Sequence, residues 1–299
     1  MKEPFFIIGN PRSGTTLLRL MLTCHPNIVV PPECGFAVWW YPKYDNLKNW
    51  INDETLIQQF LDDLMISKKI ESWQINFPEL FKYLITSKPQ SYGDIVSSVY
   101  EWYGLNQGKN ISIWGDKNNF HIRYIHTIKE IFPDTKFLHI IRDGRDVACS
   151  YREINRRQLN SQYSPVLPNN IEDIAIEWTN NISTVSNSFQ KFDWENVLEI
   201  LYEDLVYYPE KKLRIVCDWL GEEYSPDMLR FYILNQKEQL EPIEFLGWKE
   251  KTIQPLQTNQ IGRYKHELSI KEIEIFESIA FNTLDRFGYS RAQTGLKNL

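Results

Sequence analysis

Gly9-Asn10-Pro11-Arg12-Ser13-Gly14-Thr15-Thr16 is the stretch whose reading decides the fold. It follows Phe5-Phe6-Ile7-Ile8, an apolar run that reads as a short buried β-strand. It precedes Leu17-Leu18-Arg19-Leu20-Met21-Leu22, which reads as the opening of a helix. A strand, a glycine-containing turn and a helix in succession cradle a phosphate, because the loop N–H groups point inward and the helix N-terminus adds partial positive charge. The spacing from Gly9 to Gly14 is that of a phosphate loop, G-x-x-x-x-G. Thr15, however, stands where a nucleoside triphosphatase needs lysine, and the basic residue lies within the loop as Arg12. The expectation is an anion cradle that is not built for ATP and magnesium.

Outward from this loop, strand-like runs alternate with helical patterns, which predicts parallel strands joined by crossover helices. Ile28-Val29-Val30, Ile111-Ser112-Ile113-Trp114, Lys136 to Ile141 and Val197 to Leu201 read as further strands. Helices are predicted near 121–132, after Asp143-Gly144, over 171–192, around 209–220 and over 269–287, with a polar loop from about 159 to 170. Residues 36–110 read as an aromatic-rich helical insertion holding Trp39, Trp40, Trp50, Trp73 and Trp102, five of the chain's ten tryptophans. The fold class is therefore α/β: a P-loop-like three-layer fold with a central parallel sheet, helices on both faces and that insertion. The expected organisation is a single domain over 1–299.

The bulk composition narrows the function. Of the 299 residues, 42% are hydrophobic and 24% charged, and the net charge of −6 leaves no global footprint for nucleic acid. Residues 1–4 run directly into the first strand, so no signal peptide is expected, and no apolar run approaches a membrane span. The four cysteines form no C-x-x-C pair and the five histidines no ligand spacing, so a reduced, cytoplasmic setting without a metal is expected.

Candidate polar groups fall just past four strands: Arg12 after the first, Glu33 after the second, Asp116 and Lys117 after the third, and Arg142 after the fourth. Ligands of open parallel sheets bind outside the carboxyl ends of the strands, so a shared sheet would bring these groups to one crevice. Taken singly, each has a bland reading: Arg142 to Asp146 as a charged capping turn, Glu33 as a solvated carboxylate, Lys117 as a surface lysine.

Together the motifs resemble the sulfotransferases that use 3′-phosphoadenosine 5′-phosphosulfate (PAPS). Pro11 to Thr16 is similar to that family's 5′-phosphosulfate loop, and Ile141 to Ser150 to its 3′-phosphate motif. Trp114-Gly115-Asp116-Lys117 resembles the segment with the catalytic lysine, and Tyr202-Glu203-Asp204-Leu205 the strand end whose tyrosine lies near adenine. Gly262-Arg263-Tyr264-Lys265 resembles the C-terminal basic motif that closes over the cofactor. The arginine in the first loop is similar to the tyrosylprotein and bacterial branches, in which a glutamate after His-Pro and a short strand acts as base; His25-Pro26 through Glu33 has that arrangement. Two departures stand out. Gly35 occupies a position that carries arginine in the tyrosylprotein branch, and Ile154 one that carries a third phosphate-binding arginine, for which Arg152 or Arg156 would have to substitute.

The resemblance implies in-line transfer of a sulfuryl group from PAPS, leaving PAP, to a hydroxyl or less readily an amine. Arg12, Lys117 and the N–H groups of Gly14 to Leu17 would stabilise the sulfonyl oxygens and the leaving phosphate, with Thr15 and Thr16 on the 5′-phosphate and Ser13 within the same loop. Arg142 and Ser150 would fix the 3′-phosphate, while Tyr202, Arg263, Tyr264 and Lys265 would complete the cofactor site. Glu33 would be the base, with His121 in reserve. The expected acceptor is a small molecule of secondary metabolism, ahead of a glycan or peptide, with no nucleic acid or membrane partner. The rivals are a small-molecule kinase and a non-catalytic nucleotide-binding module.

Overall fold

The computed structural model describes residues 2–47, 50 and 53–291, the side chain of Trp194 excepted. Of the expected domain, residues 1, 48, 49, 51, 52 and 292–299 lie outside the described residues. Five parallel strands form the central sheet in the order β2-β3-β1-β4-β5. They are β1 (Phe5–Ile8), β2 (Ile28–Val29), β3 (Ile113–Lys117), β4 (Lys136–Ile141) and β5 (Val197–Leu201). β1 lies in the middle, with Phe6 opposite both Asp116 of β3 and Phe137 of β4. The loop after the central strand therefore opens at the centre of the sheet's carboxyl edge.

Successive strand residues point to opposite faces, and here both faces are apolar. Phe6, Ile8, Val29, Trp114 and Phe137 join one core, while Phe5, Ile7, Ile28, Ile113 and Leu138 join another. The first face is covered by the insertion, whose helices Glu54–Met65, Phe77–Ser87 and Tyr92–Asn106 pack with Trp50, Trp73 and Trp102 in the same core. The second is covered by the helices Thr15–Thr23 and Pro209–Leu220. A third cluster around Trp178 and Phe276 joins the helices Gly144–Asn155, Ile171–Phe189 and Ile270–Arg286. This is the expected three-layer α/β arrangement. Among the described residues no helix is long and apolar enough to cross a membrane.

The helix read over 171–192 ends at Phe189, the second strand ends at Val29 and the last helix runs Ile270–Arg286, and two further differences from the sequence reading lie near the third strand. β3 runs from Ile113 to Lys117 rather than from Ile111 to Trp114, because Gly115 to Lys117 pair with Phe5 to Ile7 of β1. Gly115 permits that pairing, since a Cβ there would stand 2.4 Å from Cζ of Phe5. The predicted helix over 121–132 divides into a 3₁₀ turn, Asn119–Arg123, and a short helix, Ile125–Ile131.

Candidate functional site

The loop after β1 takes its shape from two left-handed residues, Arg12 (φ 68°) and Gly14 (φ 93°). A Cβ on Gly14 would stand 2.5 Å from Cδ2 of Tyr202, so the loop and that ring approach closely only because this residue is glycine. The helix Thr15–Thr23 then begins with neither a capping side chain nor an acidic residue in its first turn. Its partial positive charge is left to whatever enters the cavity of about 380 Å³ in front of it.

Arg12, Glu33, Lys117 and Arg142 all line this cavity, as do Ser150 and Tyr202. The strand-end convergence read from the sequence is real, with one exception. Asp116 precedes Lys117 in β3 and turns to the opposite face, where it accepts hydrogen bonds from Tyr100 Oη (2.8 Å) and Asn118 Nδ2 (3.0 Å). Burial pushes the Asp116 carboxyl up to about 7.

At one end of the cavity the arginines form a donor-rich cradle. Arg12 Nε donates to Ser150 Oγ (3.2 Å), and Arg142 donates to the carbonyls of Arg12 (3.1 Å) and Gln260 (2.6 Å). The Arg142 guanidinium lies 4.5 Å from the centre of the Tyr202 ring. Burial and the neighbouring Arg142 lower Arg12 to about 10. Among the described residues Arg142 Nε, a buried donor of this cradle, has no partner; Ser13 Oγ has none either, but Ser13 is fully buried and does not line the cavity. Buried donors are normally satisfied, so the cradle is the kind that an anion completes.

At the other end Glu33 is held at the close of the Pro31-Pro32 turn, where Trp73 Nε1 donates to the Pro32 carbonyl (2.9 Å). Its Oε1 accepts from Lys117 and faces Lys249 Nζ at 3.4 Å, and its Oε2 accepts from Lys69 (2.7 Å). Burial opposes ionisation of Glu33, but Lys117, Lys249 and Lys69 outweigh it and hold the carboxyl well below the usual range. Lys117, fully buried, is pulled down to about 8 by desolvation despite the facing carboxylate. Thr15 Oγ1 donates to Asn119 Oδ1 (3.2 Å), and Thr16 and Leu17 also line the cavity.

Several expected residues sit elsewhere. His121 is wholly buried, packed against Phe6 and Phe120, and is not among the residues lining the cavity. Burial and Lys117 drive it down to about 3, so it is a neutral core group in this arrangement. Arg263 pairs with Glu153 (2.7 Å) and Glu267 (2.6 Å), Tyr264 lies under Arg145 at 4.1 Å, and Lys265 is exposed. None of the three lines the cavity. The reason is local: Asp146 accepts from the N–H groups of Gly262 (2.7 Å) and Tyr264 (3.0 Å) and ties that turn to the far side of the helix Gly144–Asn155. Arg152 and Arg156 line a separate surface pocket, and Arg152 pairs with Glu272 at 2.6 Å, so neither serves as the third arginine.

Three basic residues of the cavity were not singled out from the sequence: Lys69, Lys249 and Lys251. Lys69 is the insertion's contribution to the wall; of the insertion's tryptophans, Trp50, Trp73 and Trp102 are in the core and Trp39 stacks on Phe120 at 5.4 Å. Lys251 binds Glu153 (2.9 Å) and Gln260 (2.8 Å). Phe120, Tyr163 and Trp248 give the cavity an aromatic wall.

The sequence signature of the sulfotransferase family matches residues 4–226. Protein-tyrosine sulfotransferase A of Caenorhabditis elegans is 24% identical over 290 residues, covering 96% of this chain and 67% of its own length. Protein-tyrosine sulfotransferase 2 of Gallus gallus is 26% identical over 231 residues, covering 75% of this chain and 52% of its own length. The solved sulfotransferase domain from the curacin biosynthetic pathway superposes with a TM-score of 0.59 at 19% identity, over 98% of this chain and 99% of that one. The sulfotransferase domain of the Synechococcus PCC 7002 olefin synthase gives 0.57 at 22% identity, over 94% of this chain and 96% of that one.

Proposed function

Because the chain belongs to the sulfotransferase family, we propose that this cavity binds PAPS and that the protein transfers its sulfuryl group to the hydroxyl of a ring-bearing small molecule. One observation carries the reading: Arg142, with an unpartnered Nε, and Arg12 line the same cavity as an uncapped helix end and a lysine-bound carboxylate. PAPS supplies the activated sulfuryl group. Arg142 and Ser150 hold the 3′-phosphate, and Lys251 lends the positive charge that Ile154 does not. The loop Ser13–Thr16 and the following N–H groups hold the 5′-phosphate. Arg12 and Lys117 place positive charge where negative charge grows on the transferring and leaving oxygens, which is the main way such transfers are accelerated. Glu33 takes the acceptor's proton. A carboxylate so strongly ionised is a weak base at rest, and it gains strength when Lys117 turns from it toward the donor.

The acceptor reading rests on the walls. Phe120, Tyr163 and Trp248 offer flat apolar contact beside Glu33. The names of the curated relatives favour a second reading, a peptide tyrosine. Gly35 counts against that: a Cβ there would stand 2.3 Å from Phe120 and 2.4 Å from Trp39, so the aromatic stack fills the place of the arginine found in that branch. Incubation with PAPS and parallel panels of phenols, alicyclic alcohols and tyrosine peptides, with mass-spectrometric detection of sulfated product, tests both. Products confined to the peptide panel would overturn the small-molecule acceptor, and PAPS left unchanged by every panel would overturn the transfer.

A further inference from the structure

Lys249 lies beyond residues 4–226 and ends a short helix, Leu246–Lys249, far from any strand end. Its ammonium is nevertheless buried between two carboxylates, 2.5 Å from Glu241 Oε1 and 3.4 Å from Glu33 Oε1. Glu241 is already paired through its other oxygen with Arg19 at 2.5 Å. Arg19 belongs to the helix that follows the phosphate loop, and it also donates to the carbonyls of Val30 (3.0 Å) and Leu240 (2.9 Å). The ladder Arg19–Glu241–Lys249 thus carries one net positive charge, delivered rigidly to Glu33.

The oxygen it reaches is the informative part. Lys117 and Lys249 share Oε1 of Glu33, whereas Lys69 takes Oε2. We propose that Lys249 is a positioning residue that inherits Oε1 when Lys117 turns to the sulfuryl donor, keeping Glu33 ionised and aimed at the acceptor. This rests on the sulfuryl-transfer reading above. The need is physical: a carboxylate losing its cation in a desolvated cavity takes up a proton and is no longer a base. Lys69 stands on the remaining oxygen, is more exposed than Lys249 and belongs to the insertion, so it is the cation an acceptor hydroxyl displaces. Glu241, beyond Lys249, Asp116, on the opposite face of β3, and His121, 3.4 Å from Asp116 and kept neutral by burial, are further titratable groups near this carboxylate.

The test needs no acceptor once Lys69, which stays on Oε2 until an acceptor displaces it, is replaced by methionine. In that Lys69→Met background, proton uptake on binding PAP is read calorimetrically at neutral pH in buffers of different ionisation enthalpy, for the parent, Lys249→Met, Lys249→Arg, Glu33→Gln and Lys249→Met/Glu33→Gln. Protons exchanged by the nucleotide are common to all five, so the differences report the protein. Lys249→Met is expected to take up as much as about one proton more than the parent. Lys249→Arg should take up no excess, and Lys249→Met/Glu33→Gln none beyond Glu33→Gln itself, in which Lys117 has lost the carboxylate that holds it charged. Should the methionine variant not fold, Lys249→Gln, which keeps a donor toward Glu241, reads the same difference. Equal uptake by Lys249→Met and its Lys69→Met parent would overturn the proposal, since Glu33 would then stay charged without Lys249. An excess that survives Glu33→Gln would assign the proton to Glu241 and overturn it as well. A wild type that gives no heat with PAP overturns the cofactor reading itself, and this inference with it.

Discussion

Replacing Glu33 by glutamine should tighten the binding of PAP while destroying turnover. The structure shows why the two move in opposite directions. In the free protein Glu33 holds Lys117, and Lys117 must abandon that contact to reach an incoming phosphate. A unit-charge pair about 4 Å apart at an effective dielectric of about 20 is worth about 4 kcal/mol. Desolvation cancels part of this, and Lys249 and Lys69 keep the carboxylate partly satisfied after Lys117 leaves, so about 1–2 kcal/mol should be recovered, or about 5- to 30-fold in Kd. The comparison belongs near pH 6.5, because Lys117 gives up its proton at about 8 with Glu33 facing it and lower once that carboxylate is gone. Titration calorimetry with PAP measures the gain. Release of PAP from PAPS in the presence of a competent acceptor measures the loss, about 10²- to 10⁴-fold for a missing general base. Weaker PAP binding by Glu33→Gln, or turnover at the wild-type rate, would refute the reasoning. The first result would make Glu33 part of the phosphate site, and the second would leave the base unassigned.

Three other outcomes follow from the same geometry. Arg142→Gln removes a charge-assisted hydrogen bond of about 1.5–3 kcal/mol, so PAP should weaken about 10- to 150-fold while AMP, which lacks the 3′-phosphate, changes little; equal losses by calorimetry would make Arg142 a brace for the Gln260 segment. Since the Lys117 ammonium is depressed to about 8 in the free protein, PAP affinity should fall by up to about tenfold per pH unit as pH rises through 8, for as long as the complex keeps that proton. Lys117→Arg should move this limb upward, and an unmoved limb would assign the titration elsewhere. Gly14→Ala should cost about 1–2 kcal/mol for the left-handed backbone alone, with a further loss from the Tyr202 ring; denaturant melts should show that further loss shrinking in a Tyr202→Ala background.

The residues that could be read from the sequence were those tied to regular structure. Arg12, Glu33, Lys117 and Arg142 each follow or end a strand, and parallel strands deliver such residues to one edge, so their meeting followed from alternation of elements alone. Lys69, Lys249 and Lys251 carry no comparable signal. Lys69 has a left-handed backbone (φ 71°) before a 3₁₀ turn, and the lysines at 249 and 251 lie where a one-turn helix meets another 3₁₀ turn. Only tertiary packing aims them. Gly262 to Lys265 shows the converse. The motif is present, but Asp146 binds its backbone and Glu153 and Glu267 its arginine, so Arg263 is spent on holding the turn while Lys265 is exposed. His121 likewise sits four residues after Lys117 in sequence, and the 3₁₀ turn Asn119–Arg123 carries it into the core.

The central claim is that the cavity recognises a nucleotide with a 3′-phosphate and uses it as a sulfuryl carrier. Calorimetric titration of the wild-type protein with PAP, alongside AMP and ATP with magnesium, tests this most directly. The account predicts saturable binding of PAP with AMP far weaker, because Arg142 and Ser150 would lose their ligand. Binding of ATP with magnesium and indifference to PAP would contradict it and return the loop to phosphoryl chemistry.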